Sequence, residues 1–305
     1  MSTRITQASL SVLTDLADYR ILSLSQVAHL HFGGKRAARR RMQQLLKERL
    51  VERVFGAPAD GGGRPESIFG TSKAGLQLLQ SRSILDDSLS FDQVGSLNLH
   101  HQIAHQLLLG WCRIHLAHLC RTFSQLEVRL LSFNSPLAVS PRTGVPIIRT
   151  EVPMDNGEQS AYFTPDAAFV ITNTAQPKSV LFFLEVDMGT EPLSSSDGGD
   201  IRGKVQRYKQ HFRMKGYKRY EKVWDVELNG FRLLFVTHVA STLQRFSATI
   251  KSMSPSDFVW LTSADRMFEN GISDRIWCAG GCLERSPESI LGGLARPAPL
   301  PKLKD

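Results

Sequence analysis

The 305-residue chain has few cysteines and no long apolar run. Its four cysteines, Cys112, Cys120, Cys278 and Cys282, form no CxxC pair, and this spacing argues against a disulfide framework and against a zinc ribbon. No stretch approaches the roughly 18 uninterrupted apolar residues that a membrane span needs, so we expect no membrane partner. The N-terminal residues also lack the hydrophobic region of a signal peptide, and the expected location is the cytoplasm.

Two common catalytic motifs are missing as well. The sequence contains neither GxSxG nor GxxxxGKS/T, which argues against a Ser-His-Asp esterase and against a P-loop enzyme. The glycine run at 61–63 falls between two short predicted strands, whereas a phosphate-binding loop joins a strand to a helix.

Acidic residues are scarce in the first quarter of the chain. Residues 1–82 contain 13 Lys and Arg against six Asp and Glu, so this quarter carries a charge of +7 out of the total of +8. A concentrated basic field attracts polyanions, and nucleic acid is the commonest such partner of a cytoplasmic protein. The predicted partner is therefore double-stranded DNA.

Residues 1–82 also have the element order of a winged helix-turn-helix. The predicted elements are helices at 6–18, 25–31 and 35–49, strands at 50–55 and 67–70, and a helix at 71–80. A β-hairpin directly after a third helix forms the wing of such a domain. We therefore predict a DNA-binding domain over 1–82, followed by a linker at 83–95.

The third predicted helix is amphipathic. Its apolar stripe, which we expect to face inwards, consists of Ala38, Met42, Leu45 and Leu46. The side chains left facing out are Lys35, Arg36, Arg39, Arg40, Gln43 and Lys47. Basic and amide side chains on such a helix can contact phosphates and base edges in the major groove, although a solvated basic face is the alternative. Arg64, at the tip of the hairpin, is predicted to contact the DNA backbone or the minor groove.

The second half of the chain alternates helices and strands. The predicted elements are a helix at 97–120, strands at 124–131, 145–148, 161–172 and 180–187, a helix at 200–214, a strand at 231–237, a helix at 241–253 and a strand at 258–261. This order predicts an α/β sandwich around a mixed sheet over residues 96–270. The Pro- and Gly-rich residues 284–305 are predicted to be a disordered tail.

Three acidic residues stand at the ends of two of these strands. Asp166 lies near the start of one strand, and Glu185 and Asp187 close the next. Because successive side chains of a strand alternate, Glu185 and Asp187 should share one face while Val186 turns into the core. Clustered carboxylates repel one another unless a cation such as Mg²⁺ or Mn²⁺ neutralises them. These three acids are therefore the predicted metal ligands and catalytic residues.

The strand-end acids resemble those of the PD-(D/E)xK nuclease core, with one departure. The lysine that the core carries two residues after the acid at position 185 is Asp187 here. The resemblance implies that a lysine orients the attacking water, and Lys204 on the following helix is the candidate. The alternative is that the acids form salt bridges to Lys204, Arg202 and Arg207 and hold the helix on the sheet without catalysis.

As a whole, the chain resembles the replication-relaxation family of plasmid and mobile-element proteins. The likeness covers residues 5–240 and is carried by residues 22–30, 37–42, 50–53, 164–167, 183–191 and 204–208. It implies a winged helix-turn-helix followed by a restriction-endonuclease-like α/β sandwich. It also implies a DNA-binding protein associated with plasmid replication, relaxation or mobilisation. The protein partners that we expect are a second copy of the chain or other plasmid or mobile-element proteins.

The sequence leaves three functions open. The first is a DNA-binding protein of a plasmid or mobile element, with a nuclease-like C-terminal domain, that serves replication, relaxation or mobilisation or the regulation of these processes. The second is an endonuclease or nickase that depends on Mg²⁺ or Mn²⁺ and is targeted by the winged helix. The third is a transcriptional regulator with a non-catalytic C-terminal domain. Whether the protein is an enzyme is therefore undecided by the sequence.

Overall fold

The computed structural model describes residues 5–54, 66–95, 102–140, 143–152, 161–189 and 201–296. Within these ranges it contains ten α-helices and eleven β-strands in three sheets, so the predicted mixed α/β class is confirmed. None of the helices in the described ranges has both the length and the apolar character that crossing a lipid bilayer requires. The chain divides into two compact units. Unit 1 is built from residues up to 114 and from 134–144, and unit 2 from 115–133 and from 145 onwards.

Unit 1 begins with three helices and a small sheet. Its elements are α1 (Gln7–Tyr19), β1 (Leu22–Ser23), α2 (Leu24–His31), α3 (Lys35–Lys47), β2 (Val51–Val54), β3 (Ile68–Thr71), α4 (Lys73–Ser81) and α5 (Phe91–Val94). The strands form one antiparallel sheet in the order β1-β3-β2. Each predicted helix and strand of this region is present, with ends shifted by a few residues. The connection between β2 and β3, and Arg64 with it, lies outside the described residues.

Side-chain caps fix the starts of the first two helices. The Thr6 hydroxyl accepts a hydrogen bond from the Ser9 N–H at 3.2 Å. At the start of α2, Ser23 accepts from the Gln26 N–H at 3.2 Å while the Gln26 side chain accepts from the Ser23 N–H at 3.0 Å. This reciprocal pair is a capping box, and each such cap contributes about 1 kcal/mol to the stability of the helix.

Residues 83–95, which we predicted to be a linker, are packed into unit 1. The Gln80 side chain donates to the carbonyl oxygen of Leu89 at 3.0 Å, and the Arg20 guanidinium donates to that of Gly95 at 2.7 Å. Val94, on α5, is fully buried. The Ser- and Asp-rich composition suggested a linker, but these bonds and one buried valine hold the segment in place.

Unit 2 is organised around a six-stranded sheet. Helix α6 (Ile103–Thr122) contributes its residues from 115 onwards to this unit. The further elements are β4 (Leu126–Ser132), β5 (Thr150–Val152), β6 (Ala161–Phe163), β7 (Ala167–Asn173), β8 (Lys178–Asp187), α7 (Ile201–Arg213), α8 (Arg219–Trp224), β9 (Phe231–Thr237), α9 (Ala240–Lys251), β10 (Val259–Ser263), α10 (Ala264–Asn270) and β11 (Cys278–Ala279). The sheet order is β11-β10-β9-β8-β7-β4, and β5 pairs with β6 separately.

The sheet is mixed, and β8 lies where the antiparallel and parallel pairings meet. Strands β4, β7 and β8 pair antiparallel, β8, β9 and β10 pair in parallel, and the edge strand β11 is antiparallel to β10. One face of β8, with Leu181 and Phe183, packs against Val205 and Tyr208 of α7 in a fully buried cluster. Burying side chains of this size stabilises the fold by about 1.5–3 kcal/mol each. The sheet therefore fixes α7 directly over the end of β8 that carries Glu185.

Two regions of unit 2 differ from the sequence-based prediction. The strand predicted at 145–148 is a turn, closed by the Arg149 N–H donating to the Pro146 carbonyl at 2.9 Å. A proline has no N–H for a strand ladder, and this favours the turn. The segment at 161–172 forms two strands, β6 and β7, because Pro165 lies between them.

The predicted tail also begins too early. The backbone of Glu288 pairs with that of Trp277 through N–H···O bonds of 2.7 and 3.1 Å. Ile290 and Leu291 are buried in the described part of unit 2. The high Pro and Gly content around these apolar residues led to the prediction of a tail, although the apolar residues themselves are packed. Residues 297–305 lie outside the described ranges.

Candidate functional site

Helix α3 gathers the predicted DNA-contacting residues on one face. Ala38, Met42 and Leu45 are buried, at the i, i+4, i+7 spacing of one helix face. The exposed side chains on the other side include Arg36, Arg39, Arg40, Gln43 and Lys47, and Lys35 is half-buried. The structure thus brings together six of the seven predicted contact residues, and the seventh, Arg64, is not described.

One basic residue of α3 is turned away from this face. The Arg41 guanidinium donates to the Ser9 hydroxyl at 2.9 Å and to the Thr6 hydroxyl at 3.2 Å, and both hydroxyls belong to the start of α1. Arg41 therefore ties α3 to α1. The exposed arginines differ, since none of Arg36, Arg39 and Arg40 forms an ion pair with any residue of the described ranges.

A cleft of about 670 Å³ lies between α3 and the strands of the small sheet. Its polar lining consists of Lys35, Arg39, Gln43, Arg53, Glu66 and Ser67. Arg53 is a cation that we did not select from the sequence. The available signal was the charge of Arg53 within the VERV strand, where Val51 and Val54 are buried and Arg53 is exposed.

Glu66, the acidic residue in this cleft, is engaged by α2. Its carboxylate accepts hydrogen bonds from the N–H of Ser25, at 2.7 Å, and from the Ser25 hydroxyl. A carboxylate at a helix N-terminus is favoured by the helix dipole. Within the described residues Glu66 forms no ion pair, so it is not paired with any of the cations that line the cleft.

In unit 2, Glu185 forms a closed cluster with two residues of α7. One carboxylate oxygen accepts from the Tyr208 hydroxyl at 2.6 Å, and the other accepts from the Lys204 ammonium at 3.2 Å. Lys204 and Tyr208 are four residues apart and so project from the same side of the helix. Side-chain exposure is 6% for Glu185 and 21% for Lys204. The predicted proximity of Lys204 to the acids is therefore observed, as a largely buried ion pair.

The protonation equilibria in this cluster follow from burial. Desolvation raises the pKa of Glu185, the Lys204 charge opposes this shift, and the Asp166 charge adds to it. The pKa of Tyr208 is raised well above its ordinary value, first by desolvation and then by the charge of Glu185. Tyr208 is therefore a hydrogen-bond donor throughout the neutral pH range.

The other two predicted acids are held by backbone groups. An Asp166 oxygen accepts from the Val186 N–H at 2.7 Å, which places its carboxylate beside the end of β8. An Asp187 oxygen accepts from the Gly189 N–H at 2.7 Å, and Asp187 is buried. Asp166 is among the charges that raise the pKa of Glu185, so these two carboxylates are electrostatically coupled at the end of β8.

The donor set does not have the form of a metal site. In the part of the chain that the structure describes, no group of three or more His, Cys, Asp or Glu residues is arranged to hold a metal ion. Mg²⁺ and Mn²⁺ require accessible carboxylate oxygens, but those of Glu185 accept bonds from Lys204 and Tyr208. The Mg²⁺ or Mn²⁺ site at Asp166, Glu185 and Asp187 stays a prediction that this arrangement does not fit.

The salt-bridge alternative is observed for Lys204, which pairs with Glu185. Arg202 instead donates to the Ser252 hydroxyl at 3.0 Å. This second bond joins α7 to the residue that follows α9. Two of the basic side chains of α7 therefore hold the helix against its own unit.

Comparison with protein families identifies the chain. The family model described as replication-relaxation matches residues 13–226, a span that includes α3, Glu185 and the basic helix α7. Among the curated proteins and among the solved structures, nothing matches. Because the family match extends over more than half of the 305 residues, the chain belongs to the replication-relaxation family.

Proposed function

We propose that the protein binds duplex DNA and serves the replication, relaxation or mobilisation of a plasmid or mobile element, or the regulation of these processes. The observation that carries this proposal is the exposed face of α3. Arg36, Arg39 and Arg40 lie side by side there with no described acid to neutralise them. Membership of the replication-relaxation family supports the biological setting.

The element order of unit 1 supports a winged helix-turn-helix as the DNA-binding module. Helices α1, α2 and α3 precede the antiparallel pair β2 and β3, as the three helices and wing of that module do. In this proposal α3 enters the major groove. Arg53 and Lys35, which line the cleft between α3 and the sheet, contact phosphates of the flanking backbone.

Changing Arg36, Arg39 and Arg40 together to Ala tests the proposal. We expect the affinity for a duplex to fall about 100-fold at 0.1 M salt, because three phosphate or base contacts are lost. The slope of log K against log salt should become shallower by about 2.7. Fluorescence anisotropy over a salt series measures both quantities.

A matched control removes the same charge elsewhere. Lys222, Arg275 and Arg285 are exposed residues of unit 2, and their triple change to Ala should leave duplex affinity within about twofold. An α3 variant that binds duplex as tightly as the unchanged protein at low salt would refute the assignment of this helix.

For unit 2 we propose a nuclease-like domain that does not cut DNA. The chain order β4, β7, β8, α7, β9, with β8 parallel to β9, supports a nuclease-like arrangement. The engagement of both Glu185 oxygens by Lys204 and Tyr208 supports a structural use of the acids. In this proposal the ion pair of Lys204 with Glu185 stabilises the packing of α7 on the sheet.

Supercoiled plasmid distinguishes this proposal from the endonuclease alternative. With Mg²⁺ or Mn²⁺ added, neither the unchanged protein nor Asp166→Ala should convert supercoiled to nicked DNA. Nicking by the unchanged protein that Asp166→Ala abolishes would support the metal-dependent endonuclease instead. Metal-independent binding confined to a promoter would favour the transcriptional regulator.

A further inference from the structure

A second basic groove lies in unit 2, at the amino ends of the parallel strands. Two adjoining depressions of about 430 and 340 Å³ share residues 229–232 and so form one groove. Lys178 begins β8, Phe231 begins β9 and Phe258 immediately precedes β10. Glu185 lies towards the opposite, carboxyl end of β8, so the groove is separate from the carboxylate cluster. We call this surface the unit 2 groove.

The unit 2 groove carries an excess of positive charge. Its cations are Lys178, Lys209, Arg213 and Arg232, and its acids are Glu227 and Asp257. None of the four cations forms an ion pair within the described ranges. Burial, and next the charge of Arg213, lower the pKa of Lys209, as expected where like charges crowd together. An anionic ligand would relieve this repulsion.

An exposed aromatic ring lies beside these cations. Phe212 is 49% exposed, although large apolar side chains are usually buried. Its ring stacks on Tyr217 with a centroid distance of 5.6 Å and an interplanar angle of 17°, and it contacts Phe231 edge-on at 5.9 Å. The ring is therefore held in a fixed position while about half of its surface stays open. Rings held in this way are platforms on which nucleic-acid bases stack.

We propose that the unit 2 groove binds single-stranded DNA, with a base stacked on Phe212 and the neighbouring phosphates held by Arg213, Arg232 and Lys178. Cations that form no ion pair within the described residues, next to an open aromatic ring, match the alternation of phosphate and base along a strand, and the stacking of Arg232 over the Trp260 ring at 5.5 Å leaves its charge available to a phosphate. A duplex fits less well, because its bases are already stacked on one another. The second depression gives room for a neighbouring nucleotide, which favours a strand over a free nucleotide.

This inference goes beyond the duplex binding proposed for α3 and uses different residues in the other unit. A protein that binds duplex through one unit and a single strand through the other could hold both forms at a point where the duplex is opened. Each activity is tested without reference to the other, so one proposal can fail while the other holds.

Binding of a fluorescein-labelled twelve-residue oligothymidylate to the full chain tests the groove. Phe212→Ala should weaken binding about tenfold, because base stacking on the ring is lost. Phe212→Leu keeps apolar contact with Tyr217 and Phe231 and should weaken binding similarly, while the thermal midpoint of each variant shows that it is folded. Unchanged affinity in both folded variants would overturn the proposal.

The arginines are tested by charge with a matched control. Arg213→Ala combined with Arg232→Ala should make the salt slope of oligothymidylate binding shallower by about 1.4, since each single-strand phosphate contact contributes about 0.7. Lys222→Ala combined with Arg285→Ala removes the same charge from exposed positions outside the groove and should leave the slope unchanged. Equal effects of the two double variants would overturn the proposal, because only net charge would then matter.

Two further measurements assign the site and the ligand. The α3 triple variant should retain oligothymidylate binding, and the groove variants should retain duplex binding. Loss of oligothymidylate binding in the α3 variant alone would place the strand on unit 1 and overturn the proposal.

Thymidine monophosphate should compete only weakly with oligothymidylate for the groove. Competition equal to that of oligothymidylate at the same nucleotide concentration would identify a free nucleotide as the ligand and overturn the proposal of a strand.

Discussion

Helices α3 and α7 are both rich in basic residues, but most cations of α3 are exposed, whereas three cations of α7 are bonded to other residues of unit 2. The cations of α3 are Lys35, Arg36, Arg39, Arg40, Arg41 and Lys47, and those of α7 are Arg202, Lys204, Arg207, Lys209 and Arg213. On α3 only Arg41 is bonded to its own unit through a described contact, and the exposed face is left unneutralised. On α7, Lys204 binds Glu185, Lys209 donates to the Met253 carbonyl and Arg202 donates to Ser252.

The difference arises from what each helix packs against. The buried residues of α3 are Ala38, Met42 and Leu45, which offer its cations no acceptor, and of these cations Arg41 alone has a described bond within unit 1. The buried face of α7 includes Tyr208 and His211, and the sheet beneath it supplies the Glu185 carboxylate. A basic side chain of a helix therefore indicates a polyanion-binding surface only where no neighbouring acid pairs with it, as for the exposed arginines of α3 and for Arg213 at the end of α7.

The largest effect should come from breaking the pair that distinguishes α7. Glu185→Ala leaves the largely buried Lys204 and Tyr208 without their shared acceptor, and removing one partner of such a pair destabilises by about 3 kcal/mol or more. Urea denaturation measures the change in the free energy of unfolding. Glu185→Gln, which keeps an acceptor for Tyr208, should lose less. Equal stability of Glu185→Ala and the unchanged protein would show that Lys204 and Tyr208 do not depend on this acid.

Acid should destabilise α7 through a second buried group. The pKa of His211 is lowered from 6.5 to about 4, chiefly by burial and next by the charge of Arg219. The unfolded chain therefore binds a proton on His211 at a higher pH than the folded chain does. Protonation then favours the unfolded state, so the free energy of unfolding is unaffected by His211 above pH 6.5 and falls as the pH is lowered towards 4. The expected loss is about 3 kcal/mol.

Urea denaturation at pH 7, 5.5 and 4 measures that loss. His211→Leu removes the titrating group, and its stability should fall less over the same range. A variant with the same pH dependence as the unchanged protein would attribute acid sensitivity to other groups.

A smaller change in stability should distinguish Arg41 from the adjacent Arg40 of α3. Arg41→Ala removes the bonds to Ser9 and Thr6 and should lower the free energy of unfolding by about 1 kcal/mol. Arg40→Ala removes an exposed side chain with no described bond, so stability should stay the same while the salt slope of duplex binding becomes shallower by about 0.9. Thermal denaturation measures stability and fluorescence anisotropy measures the salt slope. A larger loss of stability in Arg40→Ala than in Arg41→Ala would contradict the assignment of a structural role to Arg41.

The smallest effect is expected where a salt bridge is exposed. Lys251 and Glu284 are 2.8 Å apart, but their side chains are 39% and 64% exposed. Solvent screens such a pair, so Glu284→Ala should not measurably change the denaturation midpoint. The variant is the exposed counterpart of Glu185→Ala, and a comparable loss in both would show that burial is not what makes the Glu185 pair important.

Local sequence patterns predicted the parts of the fold that depend on nearby residues. The face of α3 followed from the spacing of Ala38, Met42 and Leu45, and Lys204 was predicted to lie near Glu185 because it is on the helix that follows the strand-end acids. The ion pair itself was foreseen only as an alternative to catalysis. Its burial depends on the sheet below, which no local pattern reports.

Features assembled from distant parts of the chain were not predicted. Lys178, Phe212 and Arg232 belong to three different elements, and only the order of the sheet brings them to one groove. Val94 and Ile290 lie in segments whose polar or Pro-rich composition indicates loops, and their burial depends on partners far away in sequence. The composition of a segment does not reveal a single apolar residue that is buried. A linker and a tail were therefore predicted for segments that are packed.

Strand β8 separates the two ends of unit 2 by a fixed length. Lys178 and Glu185 are seven residues apart on one continuous strand, which corresponds to about 23 Å at about 3.3 Å per residue. Substitutions this far apart usually have additive effects on stability, provided that they share no partner. The effects of substituting Lys178 and Glu185 should therefore be independent. Tyr208 of the carboxylate cluster and Phe212 of the groove both contact Phe231 from adjacent turns of α7, so the two sites are coupled through this helix and substitutions there should not be additive.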